Sequence, residues 1–247
     1  MDLFAATRSR IAANHALITS DTHVRSPLVG WKKAEAVIHI TPQLGARFMQ
    51  YSAFLDAGGQ SAPLNKMVER FVFVQEGAVT VNGATAGRLG AGGFAYFAAG
   101  DEHTLLAEQP TTLVVFEKQY QPLAPHSSPP TILGNESEFS GEPFCGDPDA
   151  MLKTLLPIDP AFDMAVNIFT YQPGAALPQV EVHVMEHGLL ILDGAGVYRL
   201  GDDYYPVQAG DVIWTASFCP QWFVAMGKKP ARYIYYKDIH RDGLPYK

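Results

Sequence analysis

Short runs rich in Val, Ile, Phe and Tyr recur along the whole chain at residues 47–55, 70–75, 78–81, 112–120, 165–171, 188–192, 196–200 and 231–236, with Gly, Asp or Asn between them. Runs this short, closed by turn residues, predict the strands of an all-β sandwich or barrel. Helical periodicity is scarce. The best helix candidate is 147–155, where Asp147 reads as a cap, Pro148 suits the first helical position, and Met151, Leu152 and Leu155 give two turns an apolar face.

The pattern also repeats. Gln75-Glu76-Gly77-Ala78-Val79 resembles Leu192-Asp193-Gly194-Ala195-Gly196-Val197, and Leu89-Gly90-Ala91-Gly92-Gly93 resembles Val207-Gln208-Ala209-Gly210-Asp211, at offsets of 117 and 118 residues. Two near-equal offsets predict one duplicated unit. Between the copies, Pro122, Pro125, Pro129, Pro130, Pro143 and Pro148 mark an irregular connection. The expected organisation is a first barrel with an amino-terminal arm over 1–120, a linker over 121–148 and a second barrel over 149–247. Each half then has the size of one β-sandwich.

Composition narrows the function classes. At 47% hydrophobic and 17% charged residues the chain packs a dense core and is not disordered. A net charge of -7 without a basic patch leaves little to neutralise phosphates, which argues against a nucleic-acid partner. No apolar run is long enough to span a bilayer, no targeting signal is evident, and two cysteines, Cys145 and Cys219, suit a reducing compartment. The expectation is a cytoplasmic protein that acts on a small molecule. Cys219 sits in an apolar stretch with no base suggested nearby, so it reads as packing, and the glycines at 90–93 precede a strand-like run and read as turns.

The chemistry concentrates in the second half. Gly174 is followed by Glu181, His183, His187 and Gly194. Residues two apart on a strand share a face, so Glu181 and His183 are expected to point into one barrel, with His187 returned beside them by the next strand. This spacing resembles the first motif of the cupin family, with the first interval one residue longer than usual. Counting by that family's second motif from Gly210 puts Ala216 where proline is usual, Phe218 where glycine is usual and Gln221 at the last ligand. Two imidazoles, a carboxylate and an amide suit manganese, iron, nickel or zinc. The stretch His183-Val184-Met185-Glu186-His187 also matches a helical zinc-protease pattern, but Pro178, Gly188 and the strand-like 188–192 argue against a helix there. At the matching positions the first half carries Leu64, Lys66 and Arg70, which cannot jointly bind a cation. That half is expected to be free of metal, and His103 to be a leftover or surface residue.

Further motifs point to one family. Phe162-Asp163-Met164, Pro173-Gly174-Ala175, the 181–188 and 194–198 stretches and the 233–242 stretch closely resemble the (S)-ureidoglycine aminohydrolase family, bicupins of purine and allantoin breakdown. Thr7-Arg8-Ser9, 14–19, 23–27 and 44–48 resemble that family's opening. The resemblance implies two tandem jelly-roll barrels. It also implies release of ammonia from (S)-ureidoglycine to give (S)-ureidoglycolate, and Mn2+ held by Glu181, His183, His187 and Gln221. Glu181, Gln221, Tyr233 and Lys237 would hold substrate, with Glu181 and Lys237 catalytic. Read by themselves, Tyr233 is ordinary strand packing and Lys237 a solvated strand end. The residues alone leave open a metal-dependent dioxygenase or isomerase of small carboxylic acids, or a small-molecule binding module. Cupins often associate, so a homo-oligomer is expected, and residues 1–40 could form an arm that crosses to a neighbour.

Overall fold

The computed structural model describes residues 7–241, so the first six residues of the expected arm lie outside the described residues. Strand dominates, and among the described residues helix is confined to three-residue turns at Ser20–Thr22, Pro42–Leu44 and Glu136–Glu138. No helix among them is long and apolar enough to cross a membrane. The chain divides into two compact units. One comprises the chain up to His23, Ser140–Ile158 and the chain from Met164 onward; the other comprises Val24–Phe139 and Asp159–Asp163.

The opening strands β1 (Arg10–Ile11) and β2 (His15–Ile18) belong to the first of these units. The second unit holds β3 (Ser26–Pro27), β4 (Lys32–Ile40), β5 (Met49–Gln60), β6 (Val68–Glu76), β7 (Ala78–Gly83), β8 (Gly87–Gly90), β9 (Gly93–Phe97), β10 (His103–Ala107), β11 (Thr111–Gln119) and β12 (Ile132–Asn135). The chain then returns with β13 (Glu142–Phe144), β14 (Asp147–Thr154), β15 (Met164–Tyr171), β16 (His187–Asp193), β17 (Ala195–Leu200), β18 (Asp203–Gln208), β19 (Val212–Thr215), β20 (Gln221–Met226) and β21 (Ala231–Asp238).

Pairing is antiparallel throughout, and the two units follow the same plan. The order β9-β6-β11-β5 in one matches β19-β16-β21-β15 in the other. Arg70 on β6 faces Phe97 and Glu117, just as His187 on β16 faces Thr215 and Lys237. Turn geometry repeats as well. Gly77 and Gly194 have φ of 86° and 76°, and a Cβ on either would meet a proline carbonyl oxygen, of Pro110 or Pro230, at 2.5 Å. Only glycine tolerates both that backbone and that approach. The duplication read from the offsets is therefore built into register and turn alike.

Each barrel buries its inward stripe of alternating residues. Val72, Val74, Leu105, Leu113 and Val115 fill one interior; Phe169, Tyr171, Leu200, Phe223 and Tyr233 fill the other. The second interior is aromatic and carries hydroxyls, with Tyr171 and Tyr233 oxygens 3.2 Å apart.

Three expectations need correction. The stretch 147–155 is strand β14, paired with β13 and β15, not a helix. Local capping signals there lose to ladder partners on both sides and to the burial of Ala150 against the aromatic core. The amino-terminal segment does not go with the first barrel. His15–Ile18 pairs with Val212–Thr215 of the second, and Arg8 forms a bidentate ion pair with the buried Asp211, with Nη1 and Nη2 at 2.7 and 3.1 Å from the carboxylate oxygens. Within this chain, then, the part of the expected arm up to His23 packs on the second barrel, while 24–40 stay with the first. His103 is buried, not a surface residue: its ring stacks on Phe97 at 3.5 Å and its Nε2 lies 3.1 Å from Arg70 Nη1.

Candidate active site

A cavity of about 120 Å³ opens inside the second barrel, large enough for a small metabolite and not for a polymer segment. Glu181, His183, His187, Gln221, Tyr233 and Lys237 all line it, so the structure brings together every residue expected to hold metal or substrate. They arrive by different routes. His187 opens β16 and Gln221 opens β20, while Tyr233 and Lys237 lie on one face of β21. Glu181 and His183 do not sit in the regular strand expected for them. Between β15 and β16 the chain makes only isolated bridges, at Ala176 and Glu181. Reciprocal backbone bonds hold Glu181 against Gln221 at 2.8 and 3.0 Å, and the amide of Phe218 donates to the carbonyl of His183 at 2.7 Å. These clamps do for the loop what a full ladder would do for a strand.

Three nitrogens converge in the cavity. His183 Nε2 lies 3.1 Å from His187 Nε2 and 3.1 Å from Gln221 Nε2. His183 Nδ1 faces the carbonyl oxygen of Met185 at 3.1 Å, which fixes the proton on Nδ1 and leaves the Nε2 lone pair aimed inward. Burial first, then the nearby His183 and Lys237, pushes His187 well below the ordinary imidazole range, so its ring is neutral. The 3.1 Å approach of the two Nε2 atoms is satisfied by one proton or one cation shared between them. The Gln221 amide is anchored by Tyr198, whose hydroxyl donates to Oε1 at 3.1 Å. A hydroxyl both donates and accepts, so Tyr198 can hold the amide with either end inward, including the oxygen a hard cation prefers.

Glu181 stands at the edge of this set, its Oε2 4.0 Å from His183 Nε2. Among the described residues no three His, Cys, Asp or Glu side chains form a closed metal-binding cluster. The donors here are two imidazoles and an amide, with the Glu181 carboxylate 4.0 Å from the nearer imidazole. Burial raises the Glu181 carboxyl above the usual range, and His183 and Lys237 oppose the rise. Burial likewise lowers Lys237, which Glu181 partly offsets. The cavity thus holds a cation and an anion that sense one another across it.

Sequence reasoning missed Tyr198, Tyr235, Phe144, Phe169 and Met185, which also line the cavity. For Tyr235 the signal was available: it lies two residues from both Tyr233 and Lys237, so strand alternation puts all three on the inner face.

A jelly-roll barrel with paired histidines at one mouth defines the class of cupins, and the cupin domain family matches residues 167–236. The chain belongs to the (S)-ureidoglycine aminohydrolase family of enzymes. It is 41% identical to (S)-ureidoglycine aminohydrolase of Arabidopsis thaliana, over 98% of this chain and 82% of that one. It is 34% identical to the Escherichia coli K12 enzyme of the same name, over 93% and 90%. The crystal structure of protein Ylba from E. coli superposes with a TM-score of 0.86 at 30% identity, covering 97% of both chains. Oxalate decarboxylase of Bacillus subtilis, at 11% identity and a TM-score of 0.70 over 91% of this chain and 77% of that one, shares the fold alone.

Proposed function

We propose that this chain releases ammonia from (S)-ureidoglycine to give (S)-ureidoglycolate, a step of purine breakdown, with a divalent metal such as manganese held by His183, His187, Gln221 and Glu181. The observation that carries this reading is the convergence of His183, His187 and Gln221 nitrogens at 3.1 Å, in the same cavity as Lys237. The bound ion would act as a Lewis acid beside the reacting carbon.

The chain's own residues supply the rest. Lys237 takes the substrate carboxylate, since an ammonium in a half-buried pocket pairs strongly with a carboxylate. Tyr233, buried on the same strand face, bounds the other side. A ligand anchored at both ends presents its amino group in one direction, which selects one enantiomer. Glu181 handles the proton: its raised pKa lets it take a proton from the attacking water oxygen and return it to the departing amine nitrogen. One carbon–nitrogen bond breaks, one carbon–oxygen bond forms, and water and substrate become ureidoglycolate and ammonia with no redox change.

The test combines elemental analysis of the purified protein with ammonia release from freshly generated (S)-ureidoglycine in the presence of manganese. Turnover supports the reading, and no release overturns it. Glu181→Ala is expected to lose both the bound metal and ammonia release; a variant that keeps full activity removes Glu181 from metal binding and proton transfer alike.

A further inference from the structure

Tyr235 lies midway between Tyr233 and Lys237 on β21 and lines the same cavity. Its ring stacks on Phe169 with centroids 5.7 Å apart and lies 5.4 Å from the ring of His187. Directly opposite it in register is Asn167 of β15, buried, whose Nδ2 donates to the Tyr235 hydroxyl oxygen at 2.9 Å. That bond sets the direction of the phenol. The oxygen is occupied as an acceptor, so its own O–H must donate elsewhere, and the structure shows no protein acceptor for it among the described residues. In this orientation the carbonyl oxygen of Asn167 has no partner, and the Tyr235 O–H is left to a ligand. A buried asparagine on a barrel wall is an expensive way to fill space. Here it fixes a donor beside the metal-type donor set.

We propose that Tyr235 is a specificity-determining residue that donates a hydrogen bond to a neutral carbonyl oxygen of the substrate, the carbamoyl oxygen of the ureido group, and that Asn167 is the positioning residue that directs it. This rests on the function proposed above and goes beyond it. Lys237 accounts for the carboxylate, and Glu181 with the metal accounts for the amine and the water. That leaves the carbamoyl group as the one part of the substrate with no donor assigned.

Tyr235→Phe keeps the stacked ring and removes only the hydroxyl. In the manganese-loaded protein it is expected to raise KM about tenfold, the cost of one lost hydrogen bond to a desolvated acceptor, with kcat changed less than about twofold and metal content unchanged. Equilibrium binding of N-carbamoylglycine, which has the carboxylate and carbamoyl group but no amine to release, should weaken by the same factor. Binding of propionate, which lacks the carbamoyl group, should not change. Asn167→Asp keeps the Tyr235 hydroxyl but offers it a carboxylate acceptor, drawing the proton off the ligand. It should reproduce the loss and add little in the Tyr235→Phe background. If Tyr235→Phe binds N-carbamoylglycine as the unaltered protein does, or the unaltered protein does not bind it, the inference is wrong. A failure of the unaltered protein to turn over ureidoglycine would instead count against the proposed function.

Discussion

Arg70 holds, in the first barrel, the register position that His187 holds in the second, and its guanidinium serves as a fixed internal cation. Its Nε donates to Glu117 at 2.6 Å, and Glu117 stands where Lys237 stands in the other barrel. Tyr51 donates to the same carboxylate at 2.8 Å, and Arg70 Nη1 donates to His103 Nε2. His103 completes the arrangement as a neutral ring, its Nδ1 facing the carbonyl of Asp101 at 3.2 Å. Burial first, and the Arg70 charge second, pushes its pKa down to about 4. The unfolded chain protonates this residue near 6.5 and the folded chain only near 4. Stability is therefore full above the first value and is lost as pH falls between the two, by about 3 kcal/mol in all. Urea midpoints at pH 7.5 and 4.5 should show this drop, and His103→Gln should reduce it. The sequence showed that Leu64, Lys66 and Arg70 cannot form a metal set. It did not show the ion pair, because Arg70 and Glu117 meet only through strand pairing. Other buried polar pairs escaped because their partners are distant in sequence: Lys118 Nζ lies 2.6 Å from Asp163, and Tyr96 donates to Glu69 at 2.5 Å.

Among the elements, the strands were legible and their ends were not. Every run picked out by the apolar pattern is a strand, because alternation between core and exterior is a property of neighbouring residues. The loop between β15 and β16 was harder to read. A Glu-x-His spacing suggested a strand, yet Glu181 and His183 are held by single bridges and by the Phe218 amide. Phe218 pays for that bond in backbone conformation. Its φ is 62°, in the left-handed region where a bulky side chain is rare, and its ring is 63% exposed. Phe218 is also the position where the cupin motif usually carries glycine. Phe218→Gly removes the steric conflict and little packing, so it is expected to stabilise the fold by about 0.5–1 kcal/mol after glycine's greater unfolded-state entropy is counted. A rise in thermal midpoint would bear this out; a fall would mean the ring makes contacts that offset the strain.

For the whole molecule, length and repeat offsets revealed two barrels, while the routing of the chain between them was hidden. Nothing in 7–23 marks it as part of the second barrel, since the partners of β2 lie about two hundred residues away and local sequence carries no record of them. Arg8 and Asp211 are the latch of that long closure, with Asp211 also accepting from the amides of Gln208 and Ser20. Arg8→Ala leaves a buried carboxylate without its cation and is expected to cost about 2 kcal/mol, read as a lower thermal midpoint, whereas an equally exposed arginine elsewhere should cost little. The same routing has a consequence for synthesis. Residues 24–139 supply nearly all of one unit and are synthesised early, but β2, which can pair with β1 at once, lacks its other partner until β19 has been translated. The second barrel thus closes only after β19 emerges, and a nascent chain released before that point carries an open strand edge ready to join another.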